Sequence, residues 1–156
     1  MDTVRALLVL AVVANAMLVG AGLDQHIKQL PARHRIGVVA FSEYSKAADL
    51  ANGVAWYGVL GIGSAVLTLI TAAVGLHSVS RVDVTVALCC AIVFTLAHSV
   101  GTARAAPINF SQRKAAGDPE RLAVIFDRFT RWSRVRVGFQ ILTLLSVTLT
   151  LIITPL

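Results

Sequence analysis

The sequence predicts an all-α fold: an integral membrane four-helix bundle in one transmembrane domain over residues 1–156. Three observations predict it. Hydrophobic residues make up 56% of the chain and charged residues 14%, against about a quarter charged in an ordinary soluble domain. Four stretches carry no charge: Ala6–Leu23, Leu50–Leu76, Val84–Ala103 and Val137–Leu156, each at least 18 residues long. A membrane-spanning helix needs about 20 apolar residues. The remaining charge, a net +6, is gathered between those stretches rather than spread over the chain.

The first helix covers about 4–25. Its leading Met-Asp-Thr-Val-Arg is nearly neutral, and no small-x-small cleavage site precedes a soluble domain, so it is expected to be retained rather than cleaved. A cytoplasmic loop, 26–47, follows. Helix two spans about 48–77, and Gly58, Gly61 and Gly63 in "GVLGIGSA" are expected to permit close helix approach. They lack the strand-turn-helix setting of a nucleotide loop. Helix three spans about 83–104 and contains the only cysteines, Cys89 and Cys90. Adjacent on a helix, these are small apolar residues, not a disulfide scaffold. A second cytoplasmic loop covers 105–118. Helix four spans about 119–154, with Asp118 as cap and Pro119 at the first position. Leu122, Ile125, Phe126 and Phe129 recur at helical spacing, so its first turns are expected to lie in the interface before it enters the bilayer.

Lys and Arg fix the expected orientation. Loops one and three, with the start of helix four, hold 12 of the 14; only Arg5 and Arg81 lie on the other side. The positive-inside rule places the basic loops in the cytoplasm of a bacterial-type plasma membrane and both termini outside. Arg128, Arg131, Arg134 and Arg136 in "FDRFTRWSRVRVGFQ" pin the cytoplasmic end of helix four, some against anionic lipid head groups. Nucleic acid is not an expected partner of a basic patch lying on a bilayer.

"FSEYSKAADLANG" (41–53) aligns with "FDRFTRWSRVRVG" (126–138). The internal repeat suggests two helix-loop-helix halves in parallel orientation. Its charges swap: Glu43 aligns with Arg128 and Asp49 with Arg134, so ion pairs between the halves are expected at the membrane edge.

At about 100° per residue, each helix carries a polar stripe. Asn15, Gly22 and His26 align on helix one; Asp49, Asn52, Gly53, Trp56 and Gly63 on helix two; Thr95, His98 and Thr102 on helix three. Arg128, Trp132, Arg136, Phe139 and Gln140 share the expected interior side of helix four, with Arg131 and Arg134 turned away. Arg136 is the deepest arginine. It either snorkels to the interface or faces a partner or cavity inside the bundle. Gln140 and Asn15 are inter-helix hydrogen-bonding residues or site residues. His77 and His34 are expected at the surface. His26, His98, Asp24 and Asp49 could converge and hold a metal or haem or act as acid and base, although no HxxxH or ExxH spacing is present.

Pro107-Ile108-Asn109 after helix three, Trp132 and Arg136 entering helix four, and Gly20, Gly22 and Pro31 around the end of helix one resemble a family of small four-helix membrane proteins. That family includes the anthrone oxygenases of aromatic polyketide pathways. The resemblance implies a membrane enzyme acting on a flat, lipophilic aromatic molecule with molecular oxygen and no dedicated organic cofactor. It implies His98 or His26 as base and Arg136 and Arg128 as cations holding a phenolate. Asn109 would be a hydrogen-bond donor, with Asn52 and Gln140 beside the substrate and Trp56, Trp132 and Phe139 stacked on it. The alternatives are a non-catalytic lipid- or quinone-binding subunit, or a metal- or haem-binding membrane protein. Transport ranks last: one chain is short for a path, which would require a homo-oligomer.

Overall fold

The computed structural model describes residues 3–154, and among these every regular element is helical. Helix α1 (Thr3–Asp24) passes through a π turn, Gln25–Gln29, into α2 (Leu30–Ile36). Gly37, at φ 81, turns the chain into α3 (Val38–Ala47). A second π turn, Ala48–Asn52, leads into α4 (Gly53–Ser78). Helix α5 (Val82–Ser111) ends in a 3-10 turn, Gln112–Ala115, and α6 runs over Pro119–Ile153. The four helical runs Thr3–Ile36, Val38–Ser78, Val82–Ala115 and Pro119–Ile153 are long and apolar enough to cross a membrane.

The long helices form a ring in which α1 touches α4 and α6, and α5 touches α4 and α6. Small residues set the closest approaches. A Cβ on Gly101 of α5 would lie 3.2 Å from Arg136 Cα, and one on Gly22 of α1 would lie 2.9 Å from a Val137 methyl. Polar side chains also join helices: Asn15 Nδ2 donates to Thr68 Oγ1 at 2.9 Å and to Ala11 O at 2.8 Å. Gly58, Gly61 and Gly63 do not follow the expectation of close packing, because a Cβ on any of them would meet nothing within 4 Å. Beside Gly58 and Gly61 the wall of the ring is open.

The segments expected as loops, 26–47 and 105–118, are mostly helical. Most of their charged side chains are exposed, Arg33 excepted, while a subset of their apolar side chains is buried. Leu30, Phe41, Ala105, Ala115, Leu122, Phe126 and Phe129 form a buried cluster at the basic end of the bundle, with the Phe41 and Phe126 rings edge-to-face at 5.0 Å. That apolar burial makes helix, not loop, the stable state of the segments. The helix start at Pro119 is as expected, with Asp118 Oδ1 accepting from the Arg121 amide at 3.0 Å.

The expected ion pairs between the repeat copies do not form. Glu43 pairs with Lys46 at 2.7 Å, and Asp49 accepts from Ser45 at 3.0 Å. Copy one is broken by its π turn while copy two is continuous helix, so the aligned charges never face each other. Arg33 joins the halves instead. Buried at 8% exposure, it donates to Asp127 Oδ1, Thr130 Oγ1 and Leu30 O, each at 3.1 Å. Arg33→Ala is therefore expected to destabilise the protein by about 2 kcal/mol, the scale of a charged hydrogen-bonding group. Thermal unfolding in detergent would show it as a lower Tm, with the exposed Arg35→Ala unchanged as control.

Candidate functional site

The open wall leads into a cavity of about 240 Å³. Its front is made by two facing stripes: Asp49, Gly53, Tyr57 and Gly61 from the α4 side, and Thr102, Ala106 and Asn109 from α5. Leu18, Gly22 and Gln25 of the α1 run, with Phe129, Arg136 and Gln140 of α6, form the back. Val54 and Phe110, 42% and 39% exposed, also line it, so both the cavity and the outside reach them. Both π turns border the cavity, through Gln25 and Asp49. A π turn inserts a residue and shifts the helix face beyond it, which points these polar side chains into the gap.

Arg136 dominates the back wall. Its Nη2 donates to Gln25 Oε1 and to Ser133 Oγ, each at 3.0 Å. A guanidinium has five N–H donors. Nε is buried without a partner, and Nη1 makes no hydrogen bond among the described residues. No ion pair involves Arg136 among them. Gln140 Oε1 is also buried and unpartnered.

The front wall is held by a buried polar relay. Ser42 Oγ donates to Gln112 Oε1 at 3.1 Å. Gln112 Nε2 donates to Asn109 Oδ1 at 2.9 Å and to Ser45 Oγ at 3.2 Å. Ser45 Oγ donates to Asp49 Oδ2 at 3.0 Å. Asn109 and Asp49, both in the cavity wall, are thus fixed through Gln112, which has no solvent exposure.

Of the residues expected at the site, Arg136, Asn109, Gln140 and Asp49 line the cavity. The others lie elsewhere. Trp56 is 53% exposed and Asn52 is exposed. The π turn breaks the register that aligned them with Asp49, and Tyr57 takes the inward position. Trp132, 38% exposed, lies with Arg128, Arg131 and Val135 on the outer side of α6. The inner side is filled by Phe126, Phe129, Ser133 and Val137. Phe139 stacks on Phe94 at 6.1 Å rather than lining the cavity. His98 is 2% exposed with neither ring nitrogen hydrogen-bonded, and His26 Nε2 is buried without a partner; neither is in the wall. Asp24 is held by Lys28 at 2.6 Å and Gln29 at 2.7 Å. Among the described residues no three His, Cys, Asp or Glu group as metal ligands, so Asp24, His26, Asp49 and His98 do not form one set.

Gln25, Tyr57, Thr102, Ser133, Ser45 and Gln112 were not expected at the site. One signal was available for Gln112: it continues the helical spacing of Thr102 and Asn109 beyond Pro107. The chain matches no model of a known protein family, no curated protein and no solved structure.

Proposed function

We propose that this is a membrane-embedded protein that holds a lipophilic aromatic molecule in the cavity, its acidic hydroxyl or oxyanion against Arg136. The four apolar helical runs support the membrane setting. The basic end, which carries the cavity, then faces the cytoplasm with both termini outside. Arg128, Arg131 and Trp132 on the outer side of α6 lie where anionic head groups would meet them. Val54 and Phe110, partly exposed and in the cavity wall, are where a ligand arriving by partition from the inner leaflet would enter.

One observation carries the reading. A guanidinium with unpartnered N–H groups and no carboxylate partner borders a mostly apolar cavity. Ionisable groups at membrane depth are costly and face a partner or a pathway; here the missing partner is the ligand. The chemistry follows the resemblance to anthrone oxygenases: the cation stabilises the anion of an activated aromatic ring, which reacts with molecular oxygen. A second reading, a non-catalytic quinone- or lipid-binding subunit, is favoured by the absence of His98 and His26 from the cavity wall.

The test is equilibrium binding of 1,8-dihydroxyanthrone under argon to the protein in lipid nanodiscs. Saturable one-to-one binding is expected, and Gly58→Phe is expected to weaken it at least tenfold. A Cβ at Gly58 meets nothing within 4 Å and Gly58 lines the cavity, so a phenylalanine there is expected to occupy cavity space. Unchanged binding in a folded Gly58→Phe protein would place the ligand elsewhere. Oxygen uptake with bound probe separates the two readings: turnover supports the enzyme, binding without turnover the subunit.

A further inference from the structure

The cavity wall contains one carboxylate, Asp49, and one cation, Arg136, and the two are not paired. Opposite charges in one small, mostly apolar space attract strongly. Here each is held by its own wall. Arg136 is bound to Gln25 and Ser133. Asp49 sits on the π turn, where Ala51 leaves helical geometry at φ −103, ψ −110. Arg113 Nη2 donates to the Leu50 carbonyl in that turn at 2.8 Å. Asp49 Oδ2 accepts from Ser45, which the Gln112 amide fixes in turn, while Oδ1 makes no hydrogen bond among the described residues. One carboxylate oxygen is thus oriented and the other is unpartnered, on a residue that lines the cavity.

We infer that Asp49 is the proton acceptor of this site, taking a proton from a bound aromatic carbon acid while Arg136 holds the resulting oxyanion. The inference rests on the binding reading above. The substrate class is a lipophilic ring ketone with an acidic C–H conjugated to its carbonyl. The ring C–H bond breaks and its proton forms an O–H bond on Asp49 Oδ1. The electron pair moves through the ring to the carbonyl oxygen, which becomes an enolate facing the free N–H groups of Arg136. No oxidant enters this step. Neither His98 nor His26 borders the space in which it would occur.

Proton exchange isolates the step from oxygen chemistry. 1,8-Dihydroxyanthrone is bound to the protein in nanodiscs, under argon in D2O, and loss of the ring methylene signal is followed by NMR. The wild type is expected to exchange about a hundredfold faster than empty nanodiscs, the low end of general-base catalysis. Asp49→Asn is expected to keep its Kd within threefold and lose the acceleration. His98→Ala and His26→Ala are expected to keep it. Exchange at the wild-type rate in Asp49→Asn overturns the inference, as does a wild type that binds the probe without accelerating exchange. Absence of saturable binding by the wild type instead overturns the binding reading, and is seen before any rate is measured. If Asp49→Asn does not fold, Asp49→Glu carries the test: a rate at least tenfold lower at unchanged Kd supports the role, and an unchanged rate refutes it.

Discussion

Arg136→Gln is expected to weaken binding of 1,8-dihydroxyanthrone about a hundredfold in nanodiscs, with no loss of folded protein. A hydrogen bond to a charged group is worth about 1.5–3 kcal/mol, and the two N–H groups of the unpartnered Nη1 offer more than one. Arg136→Lys is expected to fall between the two, since a point charge replaces a planar fork. Removing this arginine leaves no carboxylate unpaired, because it has no ion-pair partner among the described residues. Loss of its hydrogen bonds to Gln25 and Ser133 is offset by the removal of a buried charge, so Tm in detergent is expected to change little. A residue that is indifferent or costly to stability while essential to binding is what a functional site requires. Unchanged affinity in folded Arg136→Gln protein would remove the guanidinium from the site.

Gly101→Leu is expected to be strongly destabilising. A Cβ there lies 3.2 Å from Arg136 Cα and Cβ and 3.4 Å from its backbone nitrogen. Backbone cannot rotate out of the way as a side-chain end can, so the new atoms must wedge α5 from α6. Overpacking typically costs about 1–3 kcal/mol, and the upper end applies because two of the three nearest contacts are main chain. Tm in detergent is expected to drop sharply, and probe binding to fall with it because Arg136 moves. Gly101→Ala is expected to show a smaller loss. Gly61→Leu, at a position open to the cavity, is expected to leave Tm unchanged. A Gly101→Leu protein as stable as wild type would mean that the α5–α6 approach is looser than described.

The four long helices were legible because runs without charge longer than 18 residues have few alternative explanations. The cap at Asp118 was legible because Asp-Pro-Glu acts locally. The helices of 26–47 were not, because their stability comes from burying Leu30 and Phe41 against Phe126 and Phe129, some 85 or more residues away. Local sequence there shows only charge. Arg136 and Gln140 emerged because polar side chains within apolar helices stand out, whereas Asn109 was pointed to only by the resemblance. Tyr57 and Gln25 did not, because two π turns reset the helical phase that the 100° rule carries forward. The same shift explains why Trp56 points outward. Trp132 misled for a different reason: a polar stripe was equated with the interior, whereas α6 turns Arg128 and Trp132 outward and buries Phe129 and Ser133.

A structure of the protein in nanodiscs, determined with 1,8-dihydroxyanthrone under argon, tests the central claim most directly. The account predicts the ring system in the cavity between α4, α5 and α6, with an oxygen within hydrogen-bond reach of Arg136 Nη1 and a ring carbon facing Asp49. A probe bound only on the outer face of α6 beside Trp132, with the cavity empty, would contradict it.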